Sequence, residues 1–365
     1  MTMKIGIIGC GNIFNAYING CAMFRSVQVV ACADVNMAAA QAKATEHKLQ
    51  AMTVDELLAD PSIGAVINLT IPKVHGEVSL KILRAGKHVY SEKPLALNVE
   101  EGQKILAFAR EKKLKVGCAP DTFLGAGLQT CRKLIDDGWI GKPLSGTAFM
   151  LARGPEGWHP NPAFFYQQGA GPMLDMGPYY VTALVHLLGP VKAVSAMTGK
   201  GYEQRLATCK EHFGEMLPVE VPTHYSGNLL FDNGAIITLV VSFDVHRHNH
   251  RPIEIYGTEG SLSVPDPNGF GGTVSLFTAG GADWREMPYA FGYKDNSRGI
   301  GLADMVQGIQ SGRAHRCDGS LALHALEVML AFEKSSTTKS WVEIANRCVQ
   351  PQAFPAGLTH GILDP

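Results

Sequence analysis

The sequence predicts an α/β protein in two parts, a doubly wound parallel sheet followed by an α+β domain with a large, mostly antiparallel open sheet. Three observations predict it. Apolar runs alternate with helical patterns through the first third of the chain. From residue 144 to residue 277 strands and turns take over, and Asp232-Asn233-Gly234 between two apolar runs is a strong hairpin signal. A length of 365 residues is long for one core and suits two domains, 1–123 and 124–365.

The elements follow in order. Lys-Ile-Gly-Ile-Ile at 4–8 opens an apolar run to residue 10 and reads as a buried parallel strand. Further strands are expected at 28–34, 65–71, 88–92 and 115–119. Helices are expected between them, at 37–47, 75–85 and 99–112, with Gly86 as a C-cap. Three strands end in unusual residues: Gly9-Cys10-Gly11-Asn12, Thr70-Ile71-Pro72-Lys73 and Glu92-Lys93-Pro94. In such sheets ligands collect at the carboxyl ends of the strands. Beyond Leu124 a helix at 127–136 ends near Gly138. Strands at 227–231 and 235–243 flank the hairpin turn, and Gly257-Thr258-Glu259-Gly260 separates two more. One helix, 175–188, interrupts this stretch, and helices return at 300–311 and 320–335. One broad sheet face has no obvious cover, which suggests self-association as a dimer or tetramer through the C-terminal sheet.

The first turn carries the strongest local motif. Gly9 permits a tight turn, and Gly11 has no Cβ, so a pyrophosphate could approach the backbone closely. The residues from Asn12 and Ile13 onward look helical, so unpaired N–H groups and the positive end of a helix would face that anion. Asp34 ends the second strand, placed to take both ribose hydroxyls of an adenosine. This is a Rossmann pattern with one departure: the third glycine position is Phe14, so the helix is expected to pack less closely on the strand. A Gly-x-Gly pair alone would equally serve a tight turn with no ligand. The strand before, the helix after and Asp34 favour the dinucleotide. Asp34 repels a 2′-phosphate, and Val35-Asn36 offers no arginine, so the cofactor expected is NAD rather than NADP.

Composition narrows the class. A formal net charge of −1 shows no electrostatic footprint for nucleic acid or an anionic membrane. No apolar run approaches the ~20 residues of a membrane span. The chain enters a strand almost at once, leaving no room for a signal peptide. Eight cysteines are scattered without a Cys-x-x-Cys, so neither a zinc site nor a disulfide framework is suggested, and a reducing cytoplasm fits. Asn68-Leu69-Thr70 matches a glycosylation sequon but falls in an expected buried strand.

Glu92-Lys93-Pro94 follows a strand and starts a turn. Pro94 restricts Lys93 to an extended geometry and aims it off the sheet edge. An ammonium beside a nicotinamide can hydrogen-bond a substrate hydroxyl; a solvated turn lysine is the commoner fate. Here the sequence resembles the glucose–fructose oxidoreductase / inositol dehydrogenase / MocA family. The likeness rests on Gly9-Cys10-Gly11-Asn12, Thr70-Ile71-Pro72 with His75, and Ala85-Gly86-Lys87-His88-Val89 leading to Glu92-Lys93-Pro94. It continues through Gly171-Pro172-Met173-Leu174-Asp175-Met176-Gly177 and Ile255-Tyr256-Gly257-Thr258-Glu259-Gly260-Ser261. The resemblance implies a Rossmann domain, a C-terminal domain with an open sheet, a nicotinamide cofactor and carbohydrate-like substrates. It also implies that Lys93 acts at the reacting hydroxyl and that Pro72 and His75 border the cofactor, with Thr70 and Glu92 in the same set.

The family's second catalytic element is an Asp followed four residues later by a His on a helix. Here Asp175 matches, but the fourth residue on is Tyr179, a tyrosine that glucose–fructose oxidoreductase also carries. Spacing i, i+4 puts both side chains on one helical face, with Thr182 and His186 extending the stripe. A phenol donates a proton readily when a ketone is reduced. To accept one during oxidation it needs help, which the Lys93 ammonium could give within ~4–6 Å. Asp175 is expected to orient its neighbours and balance Lys93; helix N-capping is its alternative. Tyr179 could instead be an aromatic packed under the helix.

Other features are softer. Trp158 and His159 lie in a loop before this helix and could form a sugar-stacking wall with a polar partner; a surface loop without ligand is the alternative. Arg153 could reach the same pocket, and Asp121, closing the last strand of the first sheet, is a candidate substrate contact. His246, His248 and His250 alternate onto one face of an extended segment, but without a supporting Cys or carboxylate no metal is expected. These observations predict an NAD-dependent oxidoreductase acting on a secondary hydroxyl or ketone of a sugar, inositol or glycoside. A retained NAD used for transient oxidation in a lyase, glycoside-cleaving or sugar–sugar reaction is the alternative. A non-catalytic NAD or sugar sensor is a third reading, against which the intact Glu92-Lys93-Pro94 argues.

Overall fold

A computed structural model describes residues 2–364. Six parallel strands form the first sheet: β1 (Met3–Ile8), β2 (Val27–Ala33), β3 (Gln50–Met52), β4 (Ala65–Asn68), β5 (His88–Ser91) and β6 (Val116–Cys118). Between them lie α1 (Phe14–Cys21), α2 (Met37–His47), α3 (Val54–Ala59), α4 (His75–Arg84) and α5 (Val99–Glu111). The strand order is β3-β2-β1-β4-β5-β6, a doubly wound sheet whose direction of winding reverses between β1 and β4. Ile5, Ile7, Val66 and Ile67 are fully buried, as strands covered on both faces require.

The expected strands run one to three residues long at their carboxyl ends. Gly9, Thr70 and Glu92 lie beyond the observed strands, and their turns form the rim of the sheet. The sequence reading missed β3 and α3. Both are short, although Thr53 and Glu56 form a capping box at the start of α3.

The second part begins with α6 (Ala126–Asp136) and β7 (Pro143–Leu151), then α7 (Gly171–Leu188) and β8 (Val191–Gly199). A small hairpin, β9 (Gln204–Leu206) and β10 (Met216–Pro218), stands apart. There follow β11 (His224–Phe231), β12 (Ile236–Ser242), β13 (Ile253–Gly257), β14 (Gly260–Val264), β15 (Ser275–Thr278) and β16 (Arg285–Glu286). Helices α8 (Ile300–Ser311) and α9 (Gly319–Thr338) and strand β17 (Val342–Glu343) complete the order. Nine strands pair as β16-β15-β14-β13-β7-β12-β11-β8-β17, antiparallel except for β7 with β12. The Asp232-Asn233-Gly234 turn joins β11 to β12, with Gly234 at φ +90°. Tyr225, Leu229, Ile237 and Leu239 are buried on the helix-covered face, where Tyr225 donates to Glu333 of α9 at 2.8 Å. On the other face Met197 is 79% exposed and Asn228 and Thr238 bond one another across the strands. His246 to His250 lie outside any strand: His246 meets Arg153, and His250 stacks on Phe149 at 4.2 Å.

Two features of the second part position the site. Helix α7 starts at Gly171, a turn earlier than expected, with Gly171 at φ +86° and Pro172 in its first turn. Asp175 therefore sits inside the helix and does not cap it. Helix α8 returns to the first sheet and packs on α1. Gly20 of α1 makes this possible: a Cβ there would lie 1.7 Å from the carbonyl oxygen of Arg298, just ahead of α8. Gly20→Ala is expected to cost about 1–3 kcal/mol through overpacking at this junction. The check is the urea midpoint, and an unchanged midpoint would show that the contact yields freely.

Candidate active site

The turn after β1 is built to leave space. Gly9 has φ +105°, and a Cβ on it would come within 2.5 Å of the Leu69 carbonyl oxygen, so only glycine fits where the β1 and β4 turns meet. A Cβ on Gly11 would meet nothing within 4 Å, and Asn12 beside it is exposed. Ile13 stands at the N-cap of α1 with no side-chain hydrogen bond to the helix, so its first N–H groups have no protein side chain to bind. Asp34 closes the far side: Oδ2 accepts from Cys10 N and Oδ1 from Asn36 N, both at 2.8 Å. Each oxygen keeps a lone pair for a hydroxyl. Phe14, at the missing third glycine, is fully buried with its ring 5.8 Å from that of His47 in α2. Open turn, uncapped helix start and spare carboxylate lone pairs fit a dinucleotide.

The rim beyond β4 and β5 completes the cradle. Thr70 donates to Asn68 Oδ1 at 2.6 Å, and Ile71 and Pro72 stand at the surface. His75, expected to border the cofactor, is 1% exposed and acts as a brace instead. Its Nε2 lies 2.8 Å from the Thr70 carbonyl oxygen and its Nδ1 2.8 Å from that of Pro94, so it joins the two rim turns. Burial lowers its pKa, and the neutral ring donates to only one of the two carbonyls at a time. Glu92 is partly buried: Tyr17 of α1 donates to Oε1 at 2.7 Å and Lys93 N to Oε2 at 2.9 Å.

Lys93, Asp175 and Tyr179 come together across the two parts of the chain. Lys93 Nζ donates to Asp175 Oδ1 at 2.8 Å and to the Asp175 carbonyl oxygen at 2.6 Å. An ammonium has three donors, so one remains. The same nitrogen stands 5.3 Å from the centre of the Tyr179 ring. Pro178 lies inside α7 and lacks the N–H that would bond the Leu174 carbonyl; the next carbonyl, that of Asp175, is the one that takes Lys93. Desolvation by burial pulls the Lys93 pKa down, but Asp175 foremost, then Tyr179 and Glu92, outweigh it and hold the ammonium well above its usual value. Its contribution to stability is thus fully present below the free-lysine value of about 10.4 and fades only at higher pH.

A fourth group escaped the sequence reading. Arg298 Nη2 donates to the Tyr179 hydroxyl at 3.4 Å. Burial works against its charge, but Tyr179, Asp121 and Glu92 raise its pKa further. The one local signal is an arginine just before a helix start, where the dipole disfavours cations. Asp121 explains how that start is satisfied. It is 1% exposed, and its Oδ2 accepts from Gly299 N at 2.8 Å and Gly301 N at 3.1 Å. Asp121 therefore serves α8 from the first sheet and is not a surface of the cleft, as the substrate-contact expectation required.

The loop between β7 and α7 carries the remaining candidates. Arg153, expected to reach the pocket, is exposed and occupied elsewhere: Nη1 lies 2.8 Å from His246 Nε2 and Nε 3.3 Å from Glu156 Oε1. Glu156 is buried and also takes Tyr166 and Arg205, which staples the loop down. Trp158 is 70% exposed and stands edge-on to His159, whose ring packs on Phe165 at 4.8 Å.

Comparison with known proteins decides the family. Residues 3–119 match the model of the GFO/IDH/MocA oxidoreductase family, NAD-binding Rossmann fold, and residues 128–263 match the GFO/IDH/MocA C-terminal domain. The chain belongs to the Gfo/Idh/MocA oxidoreductase family. As a Gfo/Idh/MocA protein it is 28% identical to the 1,5-anhydro-D-fructose reductase of Ensifer adhaerens over 264 residues, 70% of this chain and 74% of that one. It is 24% identical to the inositol 2-dehydrogenase of Rhizobium meliloti over 355 residues, 94% of this chain and all of that one. Levoglucosan dehydrogenase in complex with NADH and L-sorbose shares the fold, with a TM-score of 0.82 at 23% identity, covering 94% of this chain and 99% of that chain. The chain is thus an NAD-binding oxidoreductase with a Gfo/Idh/MocA Rossmann domain. In this family member Asp34 is expected to set affinity for the adenosine end. Asp34→Ser should weaken NADH binding about tenfold or more, the worth of a charge-assisted hydrogen bond, and narrow the preference over NADPH. Fluorescence titration with both nucleotides is the check.

Proposed function

We propose that the protein is an NAD-dependent dehydrogenase that interconverts a secondary hydroxyl and a ketone on a sugar, inositol or glycoside. The observation that carries this reading is the meeting of Lys93, Asp175 and Tyr179 at the carboxyl rim of the first sheet, beside the dinucleotide cradle. In this proposal residues 1–123 hold NAD through Gly9, Gly11, Asn12, Ile13, Asp34, Thr70 and Pro72. Residues 124–365 supply the substrate wall, including Trp158 and His159, and a sheet face for a homo-oligomer. The names of the relatives, a reductase of an anhydro-sugar and a dehydrogenase of inositol, support the substrate class. Eight free cysteines support a reducing compartment.

When bound, the nicotinamide supplies the hydride acceptor or donor. The protein's part is the proton and the orientation. Asp175 holds the Lys93 ammonium in one place by two hydrogen bonds, and the third N–H is left for the reacting oxygen. Because Lys93 stays protonated, it acts as a donor that offsets negative charge on that oxygen. The Tyr179 hydroxyl then passes the proton, giving it when a ketone is reduced and taking it back on the reverse path.

A panel of sugars, inositols and glycosides, assayed for NADH formation, tests the class. With the best substrate, Lys93→Met and Tyr179→Phe should each lower kcat by about 10²-fold or more, with the fold intact by circular dichroism. Full turnover in Lys93→Met would end the lysine role. Unchanged rate and pH dependence in Tyr179→Phe would reduce that residue to packing.

A further inference from the structure

Two cationic side chains meet Tyr179, Lys93 at its ring and Arg298 at its hydroxyl, and their partners differ. Lys93 is neutralised by Asp175. Arg298 is part-buried, yet its side-chain contacts are long and to neutral oxygens: Tyr179 Oη and Asn268 Oδ1 at 3.4 Å, and Asn296 Oδ1 at 3.3 Å. Among the described residues no carboxylate stands within salt-bridge distance of its guanidinium or of Lys294 Nζ. Both residues line one open cleft of about 420 Å³, together with Asn268, Asn296 and a single acid, Asp266. The more distant carboxylates whose charge favours the Arg298 cation, Asp121 and Glu92, are already engaged by N–H and O–H donors of the protein. A planar guanidinium with weak neutral partners presents a fork matched to a carboxylate or phosphoryl group.

The guanidinium sits at the Tyr179 hydroxyl, not at the first turn of α1 where the pyrophosphate is expected. The pyrophosphate belongs at the first turn of α1, whereas the Arg298 backbone rests on Gly20 in its last turn. Six residues of helix, roughly 9 Å, separate Phe14 from Gly20.

We infer that Arg298, with Lys294, forms an anion subsite, so that the preferred substrate is a sugar bearing a carboxylate or phosphoryl group a few bonds from the reacting carbon. This inference rests on the dehydrogenase reading above. Because Arg298 touches the Tyr179 hydroxyl, an anion bound to it lies next to the proton-passing group.

The test has three arms: hexuronates and aldonates, hexose phosphates, and the neutral parent sugars. NAD reduction should favour one acidic arm over its neutral parent by about tenfold or more in kcat/KM, with the difference carried by KM. The acidic arm that responds identifies the anion. Arg298→Gln should abolish the acid-to-neutral ratio, and Arg298→Lys should restore part of it, since charge remains and the fork does not. Added salt should narrow the ratio in the wild type. Calorimetric titration of the NAD-loaded protein should give the same ranking without turnover. A preference for neutral sugars, or an acid-to-neutral ratio in turnover and binding that Arg298→Gln leaves unchanged, overturns the subsite while the dehydrogenase reading stands. Absence of both turnover and binding in all three arms overturns the subsite, and the dehydrogenase reading then falls only if the inositols and glycosides of the wider panel are silent too.

Discussion

The contact between Lys93 and Asp175 fixes the rest of the site. One ammonium bonds the side chain and the backbone of the same residue, at 2.8 and 2.6 Å. The rim of the first sheet is thereby tied to the first turns of α7. The charges facing the ammonium outweigh its desolvation, and the pair does more than hold that charge. Its effect is geometric. With the α7 backbone held against β5, Tyr179 one turn later has its ring beneath the ammonium. Arg298, at the start of α8 where it packs on α1, reaches the Tyr179 hydroxyl.

Much of this arrangement was legible in the sequence where local rules govern it. The apolar and polar periods gave α2 and α8 with their observed limits, and the Asn-Gly turn gave the hairpin. Lys93, Asp175 and Tyr179 could be read together because a strand-end turn and an i, i+4 spacing are local patterns. The family resemblance supplied the step that joins them, since nothing in their spacing brings residue 93 to residue 175.

What stayed hidden depends on long-range contacts. Arg298 lies 119 residues from Tyr179, and no spacing rule connects them. Asp121 was misread for the same reason. An acid at a strand end resembles a cleft residue until α8, about 180 residues on, presents its bare N–H groups to it. His75 was expected to border the cofactor, but its burial between two carbonyls makes it a strut. The limit of β4 was overextended because Leu69 and Ile71 continue the apolar run past Asn68, the last paired residue, and that of β5 by Glu92 alone.

The return of the chain to its first sheet has a consequence for modularity. Residues 315–318 lie along the outer strand β6: Cys118 N donates to the Cys317 carbonyl oxygen at 3.0 Å, and His315 Nε2 sits 3.1 Å from that of Val116. That segment shields a sheet edge that would otherwise be free to pair with another chain. Gly102 and Gly319 let α5 and α9 approach closely: Leu323 stands in the path of a Cβ on the first, Leu106 and Val116 in that of the second. The nucleotide half is therefore contiguous in sequence but not self-sufficient as a body. Severed after residue 123, it would bare an adhesive strand and strand a deeply placed carboxylate, so exchanging such halves between relatives requires the last two helices to travel with the first.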